Sequence, residues 1–438
     1  MLVFTVNNAI PTNIEMKRCL SWFAGFLLLT FISTGVFATT TEKIPTEPDS
    51  TKKTDVLKPV DQIANLAWFK KLKINGYFQL RYNGAFQTSD ELRIDQADKN
   101  IEGDPGFSFR RARVKISGFV TDKVYVYVQS DFAGSKVVLK DAYSDLYLNN
   151  DKTYRLRFGL SKVPYGFENM QSSSNRLALD RADPTNSAFN GERDMGVTFF
   201  WTPTIVKERF NRIKREGLKH SGDYGMFALA VINGQNTSDP DENKYKHIVS
   251  RLTYPFEFSN GQLVEVGIQG MIGKYTPFDS KIAEDVKVGE NGEEQSWAGD
   301  YAFNDRRVGA SFVMYPQPFG LQAEYNIGEG PEYDPESNTI KEKPLHGGYI
   351  QAMYRAETSH GVFFPFVKWQ RYDGGKKFEQ DARAYKVNDF DIGMEWQINK
   401  AIELVGMYSF MDRKYADSVD GSDEFAGSML RMQLQFRF

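Results

Sequence analysis

The chain has 438 residues, a hydrophobic fraction of 41%, 34 Phe, 22 Tyr and 36 Gly, with a formal net charge of −3. A near-neutral balance gives no global field for nucleic acid, so any functional charge must be local. The only cysteine is Cys19, which excludes a disulfide framework and a thiolate metal site. A mean hydropathy of −0.48 beside 14% aromatics is unusual for a soluble enzyme. It fits a wall whose apolar outside alternates with a polar inside.

The chain opens with an export signal over residues 1–38. Met16-Lys17-Arg18 is a short basic region, Leu20 to Phe31 an apolar run, and Val36-Phe37-Ala38 offers small residues for cleavage. The run is shorter than the roughly 20 residues that span a bilayer, which argues against a membrane anchor. Residues 1–15 read as an upstream extension of the frame. Residues 39–70, rich in Thr, Pro, Lys and Asp, read as a flexible periplasmic leader.

From about residue 71 to 438 the chain alternates with period two. In Phe390–Ile398, Phe390, Ile392, Met394, Trp396 and Ile398 share one face, opposite Asp391, Gly393, Glu395 and Gln397. About sixteen such strands can be marked, beginning near 72–84 and ending at 425–438. Tight connections at Thr121-Asp122, Asn150–Lys152, Pro316-Gln317 and Asn399–Ala401 alternate with long ones at 85–105, 161–192, 276–301, 330–343 and 413–424. That parity predicts an all-β, transmembrane, antiparallel up-and-down barrel with long extracellular loops and mostly short periplasmic turns. Residues 203–221 break the parity and read as a charged periplasmic insertion. The last strand ends on Phe438, the kind of end that barrel-assembly machinery reads. Such a chain belongs in the outer membrane of a bacterium, with lipid around it.

Alternation also assigns the lumen. If Ala112, Val114 and Ile116 face lipid, then Arg111, Arg113 and Lys115 point inward, and Arg155 and Arg157 do so two strands later. These five cations make a candidate path for small anions. Asp131, Asp141 and Asp145 lie inward on the strands between, beside Tyr125, Tyr127, Tyr143 and Tyr147, and pairing with them would leave a mixed, weakly selective wall. The connection 161–192 is the third extracellular loop by parity. Gly159, Pro164 and Gly166 let it bend into the barrel as a constriction, with Lys162, Arg176 and Arg181, and then Arg193, as its cations.

The run Phe109-Arg110-Arg111-Ala112-Arg113, the stretch Gly159-Leu-Ser-Lys162-Val-Pro164-Tyr-Gly166-Phe-Glu168 and Glu192-Arg193-Asp194-Met-Gly196 resemble the phosphate-selective porin O/P family. The likeness implies a trimeric sixteen-stranded barrel, an infolded third loop and basic lumen residues that select anions such as phosphate, with Arg111, Arg113 and Lys162 the positions carried over. The inward aspartates depart from a strictly phosphate-selective pattern.

Enzymatic chemistry has little support. His220, His247, His346 and His360 are dispersed, without metal-ligand spacing or a serine partner. No cofactor or metal is expected, the acidic tips Asp239–Glu242 and Asp417–Glu424 reading as solvated loops. The expectation is passive diffusion of small solutes with a preference for anions. The alternative is a structural or partner-binding barrel whose lumen is plugged.

Overall fold

A computed structural model describes residues 71–88, 106–235, 241, 243–277, 279–288 and 302–438. The proposed signal and leader lie outside the described residues. The described chain forms a closed, sixteen-strand antiparallel barrel. Its strands are β1 Lys73–Thr88, β2 Gly106–Phe119, β3 Val124–Asp131, β4 Val138–Tyr147, β5 Tyr154–Lys162, β6 Arg193–Trp201, β7 Phe227–Ile232 and β8 His247–Glu257. The second half comprises β9 Leu263–Tyr275, β10 Phe303–Met314, β11 Phe319–Asp334, β12 Thr339–Tyr354, β13 Gly361–Gly375, β14 Ala384–Gln397, β15 Ile402–Asp417 and β16 Gly421–Arg437.

Closure is made by the first and last strands. Tyr77 pairs with Arg437 and Gly84 with Leu430. The backbone of terminal Phe438 exchanges two hydrogen bonds with Gly76, at 2.9 and 3.1 Å. No sheet edge is left among the described strands, so they can sit in hydrocarbon with their N–H and C=O groups paired. Outward positions are apolar and exposed, among them Ile268, Ile272, Val308, Ile350, Ile392 and Phe410. Aromatics gather at the short-turn end, where Phe363 stacks on Trp396 at 5.5 Å and Tyr154 on Trp201 at 6.4 Å. Such rings hold the interface between lipid and water.

Three local features differ from strict alternation. Phe107 and Phe109 share parity with Arg111 and Arg113, yet both rings are exposed outside while the arginines are buried inside. The cause is a β-bulge. Gln79 pairs with Arg111 and Leu80 with Phe109, so Arg110 is the extra residue that resets the face. The stretches 330–343 and 413–424, read as long loops, instead continue their ladders. β11 and β12 pair as far as Asp334 and Thr339, and β15 and β16 as far as Asp417 and Gly421. Charged residues on both faces of these ribbons hide the alternation. Their ion pairs, such as Lys343–Asp334 at 2.9 Å, suit strands projecting into water.

The third feature is the insertion between β6 and β7, which holds a helix, Thr204–Arg215. Val206, Phe210 and Ile213 are buried along one side at helical spacing, while its cations lie opposite. That side joins Leu218, Leu263, Val313, Tyr315 and Phe167 in an apolar cluster at the periplasmic end of the lumen. An Ile213→Asp change places an unmatched charge in this cluster, at a cost of about 3 kcal/mol or more. Trypsin should then cut at 207–215 far faster than in the parent, while the barrel keeps its unheated electrophoretic mobility.

Candidate functional site

The lumen of a sixteen-strand barrel is too wide for side chains alone to fill. Here the connection Val163–Glu192 enters it. Gly159, one of the glycines expected to bend it inward, stays within the β5 ladder opposite Tyr143 and Gly196, and the chain turns at Gly166, whose φ of 76° favours glycine. Tyr165 and Phe167 are fully buried.

The loop is fastened to one side of the barrel. Glu324 on β11 accepts the backbone N–H groups of Phe167 and Glu168 at 2.7 and 2.8 Å. Tyr165 donates its hydroxyl to Asn326 at 2.8 Å, and Lys368 on β13 pairs with Glu168 at 2.5 Å. Asp183 meets Lys376 at 2.9 Å and Arg413 at 3.1 Å, while Arg307 donates to Ser187 at 2.8 Å. Further anchors come from β1 and β16, where Gln79 and Arg437 donate to the carbonyls of Ser173 and Ser174 and where Arg81 and Arg431 pair with Asp180. The opposite wall, β2–β6, is left facing open space.

Within the loop, arginine and lysine act as internal staples. Lys162 Nζ donates to the carbonyls of Asn169, Met170 and Gln171 at 2.8, 3.2 and 2.5 Å. Arg181 donates to Glu168 O at 3.2 Å, Gln171 O at 2.9 Å and the Glu192 carboxylate at 2.7 Å. Burial tends to raise the Glu192 carboxyl, but Arg181 and Lys162 overcome this and hold it well below the usual carboxylate range. The same holds for Asp180, buried yet kept low by Arg431 and Arg81. Depressed values mean that these pairs stabilise the loop at neutral pH and fail only when pH falls toward the folded values. Arg176 donates to Leu179 O at 3.1 Å, and its Nε and Nη1 have no hydrogen-bond partner among the described residues.

On the open wall the inward aspartates meet the cations. Arg113 pairs with Asp131 at 2.7 Å, Arg157 with Asp145 at 2.7 Å and Arg193 with Asp141 at 2.9 Å. Arg155 meets Asp223, from the β6–β7 insertion, at 3.3 Å. Two cations differ. Arg111 donates to Gln79 at 2.9 Å, and among the described residues neither it nor Lys115 has a carboxylate partner.

A cavity of about 160 Å³ lies where this wall, the infolded loop and the insertion meet. Arg113, Lys115, Arg157, Lys162 and Arg193 line it, with Asp141 the one lining carboxylate among the described residues. Tyr127, Tyr143 and Tyr224 complete much of its surface. Thus Arg113, Lys115, Arg157, Lys162 and Arg193 converge on one space. Arg111, Arg155, Arg176 and Arg181 stand outside that lining, and Arg181 is committed to holding the loop. Asp131 and Asp145 sit behind their arginines.

Alternation could not find the anchors, because their partners are distant in sequence. Lys368 and Glu168, for example, are 200 positions apart. Inward polar positions such as Glu324, Asn326 and Lys368 were nevertheless legible as lumen residues by the same parity, whereas Arg413 fell in a stretch read as a loop. The insertion also enters the lumen, which its charged composition did not suggest. Gln171 and Asn175 donate to the carbonyls of Lys219 and His220 at 2.5 and 2.8 Å, and Lys219 pairs with Glu395.

A closed barrel with an apolar belt, a polar lumen and a narrow charged passage defines an outer-membrane channel protein. The family model for phosphate-selective porins O and P matches residues 80–438, and the chain belongs to that family. Its place is the bacterial outer membrane. No curated protein matches the sequence. Solved structures with a similar fold include the outer-membrane channel DcaP of Acinetobacter baumannii, at 14% identity and TM-score 0.49, covering 84% of this chain and 97% of that one. Another is an anion-selective porin from Comamonas acidovorans, at 11% identity and TM-score 0.47, covering 84% of this chain and 99% of that one. OmpF of Salmonella typhi aligns at 11% identity and TM-score 0.49, with 84% and 97% covered.

Asp183 holds two buried cations at once, so removing it leaves both unmatched, at a cost of about 3–5 kcal/mol for a broken buried pair. Asp183→Ala should free the loop from the β13–β15 side. Single-channel recordings are expected to show larger, noisier steps than the parent.

Proposed function

We propose that the protein is a passive diffusion channel that prefers small anions, phosphate among them, and that the β2–β6 wall carries the path. The observation behind this is the cavity lining, in which five cationic groups face one carboxylate. Counting the aspartates paired behind the wall, Asp131 and Asp145, still leaves cations in excess. Lys115 and Arg111, each without a carboxylate partner among the described residues, supply charge beyond the ion pairs. In a narrow lumen with low-dielectric walls, such an excess concentrates anions and offsets part of their dehydration cost.

Each lining group would then have a distinct part. Lys115 offers an ammonium 5.1 Å from the centre of the Tyr77 ring, Arg113, Arg157 and Arg193 offer guanidinium edges held in place by their aspartates, and Lys162 adds charge while fixing the loop. Arg155 and Arg176 extend the cationic surface beyond the cavity. No bond is made or broken in such a role. The family's channel character supports it, and a homotrimer is the assembly proposed by resemblance to trimeric porins.

A second reading keeps the barrel but closes the passage. It draws on the two segments that meet inside, where Gln171 donates to Lys219 O and Lys219 pairs with Glu395. In that case the protein would be structural or partner-binding, and the lumen would conduct almost nothing.

Reversal potentials across a potassium chloride gradient separate these readings. The expected result is anion preference with steady steps, reduced by added phosphate. Lys115→Gln should lower the anion-to-cation permeability ratio by about two- to fivefold, the scale of one unscreened charge near the path. Cation preference, or no conductance, would overturn the proposal in favour of a neutralised or plugged lumen.

A further inference from the structure

The lumen wall below the cavity carries aromatic rings in register. Phe119 pairs with Tyr125 across β2 and β3, and Ser117 with Tyr127 one row higher. Across β3 and β4, Tyr127 pairs with Tyr143, and across β4 and β5 Tyr143 pairs with Gly159. Two rows of rings therefore lead from the periplasmic turn to the floor of the basic cavity. Phe119 lies 5.1 Å from Tyr125 and 5.8 Å from Tyr147.

The upper row is a stack with one open end. The Arg157 guanidinium sits 3.7 Å from the centre of the Tyr143 ring, in the space that Gly159 leaves on the neighbouring strand. Tyr143 stacks on Tyr127 at 5.0 Å with 13° between the rings. Beyond Tyr127 the row continues to Ser117, too small to cover a ring, and then to Lys73 on β1. Tyr127 is half-buried and lines the cavity. Its hydroxyl donates to Gln129 at 3.2 Å, which fixes the ring's direction. Lys115, one inward position above Ser117 on β2, lines the same cavity and has no carboxylate partner among the described residues.

We propose that this end of the stack is a subsite for organic anions that carry a ring, the ring lying on Tyr127 over Ser117 and the anionic group meeting Lys115 and Arg193. The subsite rests on the anion path argued above and names a solute class for it. A bare oxyanion uses only the cations. A ring-bearing anion uses both the cations and an aromatic face, and stacking on such a face adds to binding without demanding one particular hydrogen-bond pattern. A cavity of about 160 Å³ accepts a six-membered ring. The lower row, Phe119, Tyr125 and Tyr147, continues the aromatic surface toward the periplasmic mouth, where the Lys152 ammonium lies 3.7 Å from the Phe119 ring centre.

The test compares three phosphate monoesters as blockers of chloride current through the full-length channel: phenyl phosphate, glucose 6-phosphate and glycerol 3-phosphate. All carry the same headgroup, and only the last lacks a ring. Both ring esters are expected to reach half-block at concentrations at least about fivefold below glycerol 3-phosphate. A benefit confined to phenyl phosphate would narrow the class to aromatic anions, and one confined to glucose 6-phosphate to sugar phosphates. Tyr127→Phe should keep the ratio and Tyr127→Ser should abolish it. Because the ratio is internal to each variant, a change in overall conductance does not disturb it. Equal half-block by all three esters overturns the subsite while leaving an anion path in place. A ratio that survives in Tyr127→Ser does the same, since size rather than stacking would then explain it. Loss of block by every phosphate, inorganic phosphate included, would instead bring down the anion path itself.

Discussion

Closure of the sheet between β1 and β16 is the constraint from which the other features follow. Hydrocarbon offers no partner to a free N–H or C=O, so the chain must pair every strand on both sides. Once it does, each residue is committed either to lipid or to lumen. The lumen of sixteen strands then needs filling, and the chain fills it with two of its own connections. Polar atoms taken inside must be matched, and so the infolded loop is bound by carboxylate–cation pairs and backbone N–H groups rather than by apolar packing alone. Most of those bonds lie on the arc that runs from β10 round to β1, through Arg307, Glu324, Lys368, Lys376, Arg413, Arg431 and Arg81. The passage is what remains on the other side.

This asymmetry explains how a chain of net negative charge can have a basic passage. The acids are spent elsewhere. Glu168 and Asp183 face the anchoring wall, Glu192 is held by Arg181, and Asp180 by Arg81 and Arg431. On the open wall, Asp131, Asp141 and Asp145 each hold an arginine, leaving Lys115 and Arg111 unmatched by any described carboxylate. A count over the chain, or even over the lumen, hides this. What a solute meets depends on which charges border the open space.

Much of the barrel was legible because period two is a local signal that repeats many times over. The strand number, the long–short parity and the inward direction of Arg111, Arg113, Lys115, Arg155 and Arg157 all rest on it. The bulge at Arg110 was missed because a single extra residue leaves alternation intact on either side. The helix 204–215 did carry a signal, with Val206, Phe210 and Ile213 at spacings of four and three, but its cations drew the reading toward a solvated insertion. The hairpin ribbons at 330–343 were missed for the opposite reason, since above the lipid both faces are polar and the period vanishes. The anchors of the infolded loop depend on tertiary pairing across the barrel, which no local pattern encodes.

Pairing does not reduce the open wall to an inert surface. A carboxylate on one side of a guanidinium fixes its plane and leaves the other N–H groups and the ring-facing side available. Arg157 shows the arrangement. Its Nε and Nη2 are engaged by Asp145 at 2.7 and 2.9 Å, while its flat face rests on Tyr143. The aspartate thereby positions the arginine, the arginine positions the tyrosine, and the tyrosine stacks with Tyr127 at the edge of the cavity. A free arginine ladder would carry more charge but would leave its side chains to find their own places. The paired wall gives up some field and gains a fixed shape, which allows a passage to distinguish solutes by more than their charge.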